Sequence, residues 1–185
     1  MKNFVIGVLL ATLAVFAWGF IYWGASGVPY RSLTEVSDVD GTREAMETLF
    51  PSDGVYYIPG IGLDDAAMME KYEEGPVAMV HMLARDGAPA QDPTVFAKAF
   101  ILNLVFAILI ALLLQGARLP SYRSRLQLAV LAGLAAAIYA HGNGFVWWKF
   151  DATWQFHLLF SDFISWVVAA LILARFIKPN ASAAA

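Results

Sequence analysis

The amino-acid sequence predicts an all-α membrane protein, a four-helix transmembrane bundle with a small periplasmic α+β insertion between helices 1 and 2. Composition is the first observation: the 185 residues are 59% hydrophobic and only 15% charged, whereas soluble chains are roughly 45–50% apolar and about 25% charged. Second, four apolar stretches reach the roughly 20 residues that a helix needs to cross a bilayer. Third, the stretch between the first two spans is too long for a simple loop.

The charge and the cysteine count exclude several classes of partner and chemistry. A formal charge of −3 without a run of basic residues makes nucleic acid an unsuitable partner. The chain has no Cys, which excludes disulfides, thiolate metal sites and Cys nucleophiles. Motifs of soluble enzymes, such as G-x-S-x-G, H-E-x-x-H and the P-loop, are also missing from the sequence. We therefore do not expect an enzyme.

The four predicted spans cover residues 4–25, 99–117, 126 to about 145, and 156–177. The first is longer than the apolar core of a cleaved signal peptide, and no Ala-x-Ala site follows it before Arg31. It is therefore interpreted as an uncleaved signal-anchor. The predicted organisation is a helix 1 segment over 1–25, a cap over 26–98, and helices 2–4 with a cytoplasmic tail over 99–185.

The basic residues predict the orientation of the spans. They concentrate before span one, between spans two and three, and after span four: Lys2, Arg118, Arg123, Arg125, Arg175 and Lys178. Because basic residues are enriched on the cytoplasmic side, both termini are expected inside. We expect a bacterial inner membrane, with residues 26–98 in the periplasm. Trp, Tyr and Phe cluster at the other ends of spans one and four, away from these basic residues. Such clusters are typical of the membrane–water interface, so they agree with this placement.

The predicted periplasmic cap, residues 26–98, shows local order. Its spacing predicts a helix over 32–50, a strand over 55–58, a helix over 63–72 and a strand over 77–83. A lone hairpin is barely stable, so the cap is expected to rest on the membrane or on a partner. The segment carries thirteen acidic and five basic residues. The acidic residues lack the spacing of a calcium loop, so no metal site is predicted.

A layer of polar residues is predicted inside the outer part of the bilayer, and intramembrane ionisable residues are candidate site residues. The layer contains Asn103, His141, Asn143, His157 and Asp162. Stripes of small residues on spans three and four indicate close helix packing. Gly142 and Gly144 indicate that the third helix ends near His141.

Three interpretations of this polar layer stay open. In the first, Asp162 belongs to a structural hydrogen-bonded latch. In the second, His141 and His157 ligate a haem. In the third, the layer forms a pocket for a quinone or a lipid headgroup. A proton pathway is disfavoured because the inner halves of the spans are almost purely aliphatic.

The sequence resembles a group of uncharacterised bacterial inner-membrane proteins with four spans. The matching features are FAWGFIYWG, SDGVYYIPG, EKYEEGPVAMV, and an aromatic loop followed by Asp162 and Trp166. The resemblance implies the topology and no activity. The leading hypothesis is a non-catalytic accessory subunit of a larger membrane complex, respiratory or photosynthetic, with lipid and other membrane subunits as partners and no cofactor. The alternative is a haem- or quinone-binding redox protein, and the third is a small-molecule carrier.

Overall fold

The computed structural model describes residues 1–83, 86–89 and 92–178, and it divides into two compact units. One unit joins Met1–Leu33 to the chain from Pro93 onward, and the other is Thr34–Asp92. The elements follow in chain order: α1 (Lys2–Gly19), a π-helical turn (Phe20–Ala25), a 3₁₀ turn (Pro29–Ser32), α2 (Val39–Leu49), β1 (Gly54–Ile58), α3 (Asp65–Glu74), β2 (Ala78–Met82), α4 (Thr94–Gly116), α5 (Tyr122–Trp148) and α6 (Ala152–Phe176).

Four helices in the first unit are long and apolar enough to cross a membrane: α1 with its π-helical turn, α4, α5 and α6. This finding indicates a multi-pass membrane protein that contacts lipid. The helices exceed the predicted spans, because α4 begins before Lys98 and α5 takes in Arg123 and Arg125. The predicted spans exclude these charged residues, but the ends of a membrane-spanning helix accommodate long basic side chains because the charged groups reach polar surroundings.

Helix α6 is the centre of the bundle, with its longest packing seams against α5 and α1. Small residues let the helices approach closely. A Cβ on Gly7 of α1 would lie 2.7 Å from Cβ of Phe176, and one on Gly133 of α5 would lie 2.5 Å from Cβ of Trp166. The core between them is rich in alanine, with Ala11, Ala107, Ala111, Ala129, Ala169, Ala170 and Ala174 all buried. The predicted small-residue packing of these helices is therefore present.

One end of the bundle, called the basic end, carries Arg118, Arg123, Arg125 and Arg175. Here Arg125 is only 4% exposed, although it is charged. Its Nε donates to the carbonyl of Ala174 at 3.0 Å, and its Nη1 donates to the carbonyls of Leu119 and Pro120 at 2.8 and 2.9 Å. The last carbonyls of a helix have no partner within the helix and carry negative partial charge. Arg125 thus ties the α4–α5 turn to the last turn of α6.

The opposite end, called the aromatic end, holds the turn from α5 into α6. The expectation that Gly142 and Gly144 end the third helix was wrong, because α5 continues to Trp148 and Lys149 forms its left-handed cap. Gly144 instead makes room for close packing. A Cβ there would lie 2.9 Å from the ring of Phe150 and 3.0 Å from Oε1 of Gln155.

The second unit is a two-stranded antiparallel sheet with two short helices. β1 pairs with β2 so that Val55 lies opposite His81. The predicted helix over 32–50 is present only as α2, because Asp38 caps its start and accepts from the Gly41 amide at 3.0 Å. Among the described residues of this unit, only Phe50 and Met82 are buried hydrophobic side chains.

Candidate functional site

A closed polar junction joins α1 to α6 at the aromatic end. The hydroxyl of Tyr22 and Nδ1 of His157 lie 2.7 Å apart and share a hydrogen bond. Trp23 Nε1 donates to the hydroxyl of Ser161 at 2.8 Å, and Trp18 Nε1 donates to the Ser161 carbonyl at 3.1 Å. Tyr22 is 8% exposed and Ser161 is 3% exposed. Three aromatic side chains of α1 and its π-helical turn therefore satisfy polar groups of α6.

Ring packing reinforces the same junction. Trp18 stacks on Tyr22 with ring centroids 5.2 Å apart, and Tyr22 lies 5.5 Å from the ring of Phe160. Trp23 meets Trp154 edge to face at 5.6 Å. The sequence places these aromatic residues in the clusters at the ends of spans one and four but does not predict their contacts with α6. The one signal for it was the i, i+4 spacing of Trp18 and Tyr22, which places both rings on one helix face.

A second, open polar pair joins α5 to α6. His141 Nε2 donates to Oδ2 of Asp162 at 2.9 Å. The His141 side chain is 15% exposed, whereas the Asp162 side chain is 60% exposed. Asp162 lies ten residues after Ala152, about 15 Å along a helix that rises about 1.5 Å per residue. The carboxylate therefore lies near the middle of α6, which begins four residues before the predicted span.

Asp162 borders a cleft of about 330 Å³ between α1, α4 and α6. The walls combine apolar, aromatic and polar side chains: Val15, Leu102, Asn103, Phe106, Asp162, Ser165 and Trp166. The rings of Phe106 and Trp166 meet edge to face at 5.2 Å. Because Trp166 also covers Gly133, the α5–α6 seam fixes one wall of the cleft. This cleft is the strongest candidate for a functional site in the described chain.

The structure divides the predicted polar layer into separate groups. His141 bonds Asp162, and Asn103 lines the same cleft as Asp162. His157 belongs to the other junction, and Asn143 donates to the Tyr139 carbonyl of its own helix at 2.6 Å. The two histidines therefore lie in different hydrogen-bonded pairs, each with its own partner.

Asn103 also borders a second, more apolar cleft of about 480 Å³. Its other lining residues include Phe16, Phe20, Trp23 and Phe96. Within the described residues, no group of three or more His, Asp or Glu side chains is placed to hold a metal ion. The first cleft is thus distinguished from the second by the carboxylate of Asp162.

Comparisons with known proteins add no relative: no family model, no curated protein and no solved structure matches the chain.

Proposed function

We propose that this protein is a non-catalytic accessory subunit of a larger complex in a bacterial inner membrane, with a respiratory or photosynthetic complex as host. The observation that supports it best is the sparse core of the unit Thr34–Asp92. Its described residues bury only Phe50 and Met82, and neither α2 nor α3 has a buried residue. A two-stranded sheet with so little burial is barely stable alone. A partner surface would supply the missing burial.

The exposed side chains of this unit fit a protein partner. Large apolar residues are exposed on α2, β1 and α3 and directly after β2, among them Val39, Leu49, Val55, Met69 and Leu83. The unit also carries thirteen acidic and three basic residues. A second copy or an anionic lipid surface would be repelled by this charge. We therefore propose a partner surface that combines apolar residues with Lys and Arg.

The basic end supports a cytoplasmic placement of that end. The start of α1, the α4–α5 turn and the end of α6 meet there, together with most of the basic residues of the bundle. By the positive-inside rule, both termini would lie in the cytoplasm and residues 26–98 in the periplasm. The acidic unit would then meet the periplasmic part of its host.

The test is a mild-detergent purification at native expression level, followed by a native gel, mass spectrometry of the band and a visible absorbance spectrum. We expect this chain in a band much larger than its own 20.2 kDa, together with larger chains in a fixed stoichiometric ratio. We expect no visible absorbance that is due to this chain. A small colourless band would overturn the proposal and favour a stand-alone carrier. A Soret peak that tracks this chain would overturn it in favour of haem held by His141 or His157.

A matched set of isosteric variants locates the contact. Val39 and Val55 are 61% and 63% exposed, and the double variant Val39→Thr/Val55→Thr removes apolar surface without changing shape. We expect it to lose at least about tenfold of the co-purifying chains. Val95→Thr is the control, because Val95 is 54% exposed and lies outside the unit, at the start of α4. Equal recovery of partners with both variants would contradict a contact through the acidic unit.

A further inference from the structure

We propose that the cleft beside Asp162 binds an organic cation with an apolar body. The unusual feature is a carboxylate that is 60% exposed, about 15 Å along a helix apolar enough to cross a membrane. Ionisable groups within membrane-spanning helices are costly and mark binding sites or ion pathways. His141 takes one carboxylate oxygen, Oδ2, and leaves most of the side chain uncovered.

The chemistry of the walls favours a cation over a quinone. An ionised carboxylate only accepts hydrogen bonds. The hydroxyl of Ser165 donates to the Ser161 carbonyl at 2.9 Å, which leaves its oxygen to the cleft as an acceptor. Quinone carbonyls are also acceptors, so beside Asp162 they would find no donor, and only the amide of Asn103 and the indole of Trp166 among the lining side chains could donate to them. A positively charged group meets both oxygens favourably.

The aromatic walls favour a cation that carries apolar groups. Trp166 and Phe106 form two adjoining walls, and the faces of such rings attract organic cations. Val15 and Leu102 complete an apolar surface for the rest of the ligand. No residue lining this cleft is Lys or Arg, so no side chain of the walls competes as a fixed positive charge. The position of Asp162 near the middle of α6 favours a free cation over the ammonium of a lipid, because lipid headgroups lie near the ends of a membrane-spanning helix.

The test measures binding of tetraphenylphosphonium to the full chain in a nonionic detergent, by equilibrium dialysis. Tetraphenylborate is the matched probe, because it has the same size and shape with the opposite charge. We expect saturable binding of the cation by the wild type and none of the anion. Equal saturable binding of both ions would overturn the proposal, and so would an absence of saturable cation binding. Displacement of the cation by short-chain phosphatidylcholine would overturn it in favour of a lipid headgroup site.

Variants then assign the site. Asp162→Asn keeps the shape and removes the charge, and we expect at least about a tenfold weaker affinity for the cation. Asp151→Asn is the control: Asp151 caps α6 by accepting from the Trp154 amide at 2.8 Å, and Asn caps a helix equally well. We expect this variant to bind like the wild type. Asp162→Asn binding as tightly as Asp151→Asn would overturn the assignment.

A second variant addresses the aromatic wall and guards against a folding defect in the first. Trp166→Phe keeps an aromatic face but weakens the attraction for a cation, so we expect about a threefold loss of affinity. Retained helical circular dichroism confirms that each variant is folded. A folded Trp166→Phe with unchanged affinity would contradict a cation seated against this ring.

Discussion

His157 and His141 lie toward the same end of the bundle, and each forms a hydrogen bond with a side chain from a second helix. The His157 partner is Tyr22, which is 8% exposed and packed between aromatic rings. The His141 partner is Asp162, whose side chain is 60% exposed at a cleft. The same residue type thus takes part in a closed junction and in an open pair.

The two pairs differ in how completely the surrounding side chains cover their polar atoms. Partners inside the junction satisfy its polar atoms, so the junction contributes to the packing of α1 on α6. The open pair leaves most of the Asp162 side chain uncovered, at a cleft between apolar helices. Variants that break each kind of contact should therefore differ in their effects on stability. We expect the largest loss from a buried, charged contact and the smallest from the open pair.

The largest effect is expected at Arg125, a closed charged site at the basic end. Arg125→Met keeps the length of the side chain but leaves the carbonyls of Leu119, Pro120 and Ala174 without their donor. We expect a loss of about 3 kcal/mol in the free energy of unfolding, because hydrogen bonds to charged groups contribute about 1.5–3 kcal/mol and the site is buried. Unfolding in sodium dodecyl sulfate, followed by circular dichroism, measures it.

The control for this variant is Arg123→Met. Arg123 is exposed and lies two positions earlier, so the substitution removes the same charge from the same end. We expect a change below about 0.5 kcal/mol. Equal losses from the two variants would show that charge at this end matters and that the three carbonyl contacts do not.

A smaller effect is expected at Gly133, where α5 meets the wall of the open cleft. In Gly133→Ala the new Cβ would lie 2.5 Å from Cβ of Trp166, and a Cβ cannot move without its helix. We expect a loss of about 1–3 kcal/mol from overpacking, measured by the same unfolding assay.

Gly142→Ala is the control on the same helix, with no atom within 4 Å of the new Cβ. It should be neutral or stabilising by up to about 1 kcal/mol, since Ala favours helices. Matching losses would rule out the tight seam.

The sequence was sufficient to predict four helices long and apolar enough to cross a membrane, and both strands, because length and the pattern of apolar residues decide them. The helix ends were predicted less well. Lys98 and Arg125 lie just outside the predicted spans, but the first lies within α4 and the second lies within α5, where it is buried and donates to three carbonyls. Placing helix ends at charged residues ignores hydrogen-bond partners that are distant in the sequence.

For the candidate site, the sequence predicted only that its polar residues lie at a similar level of the bundle. Spacing along the helices brought His141, His157 and Asp162 to one layer, but pairing depends on how each helix is rotated. The contact of Gly133 with Trp166 sets the rotation of α5 against α6, and the π-helical turn sets the direction of Tyr22. Neither effect follows from hydropathy, so the division into two separate pairs emerged only from the structure.

The smallest effect, and the sharpest test of the comparison, comes from removing one polar group from each pair. Tyr22→Phe deletes the hydroxyl that pairs with His157 in the closed junction and leaves Nδ1 without its partner. We expect a loss of about 1–2 kcal/mol. Asp162→Asn in the open pair should cost less than about 0.5 kcal/mol, because the amide oxygen of Asn can still accept from His141 Nε2. Both are measured by unfolding in sodium dodecyl sulfate. If Asp162→Asn were as destabilising as Tyr22→Phe, the His141–Asp162 pair would be a structural latch, and the exposed carboxylate would be explained by packing and not by a ligand.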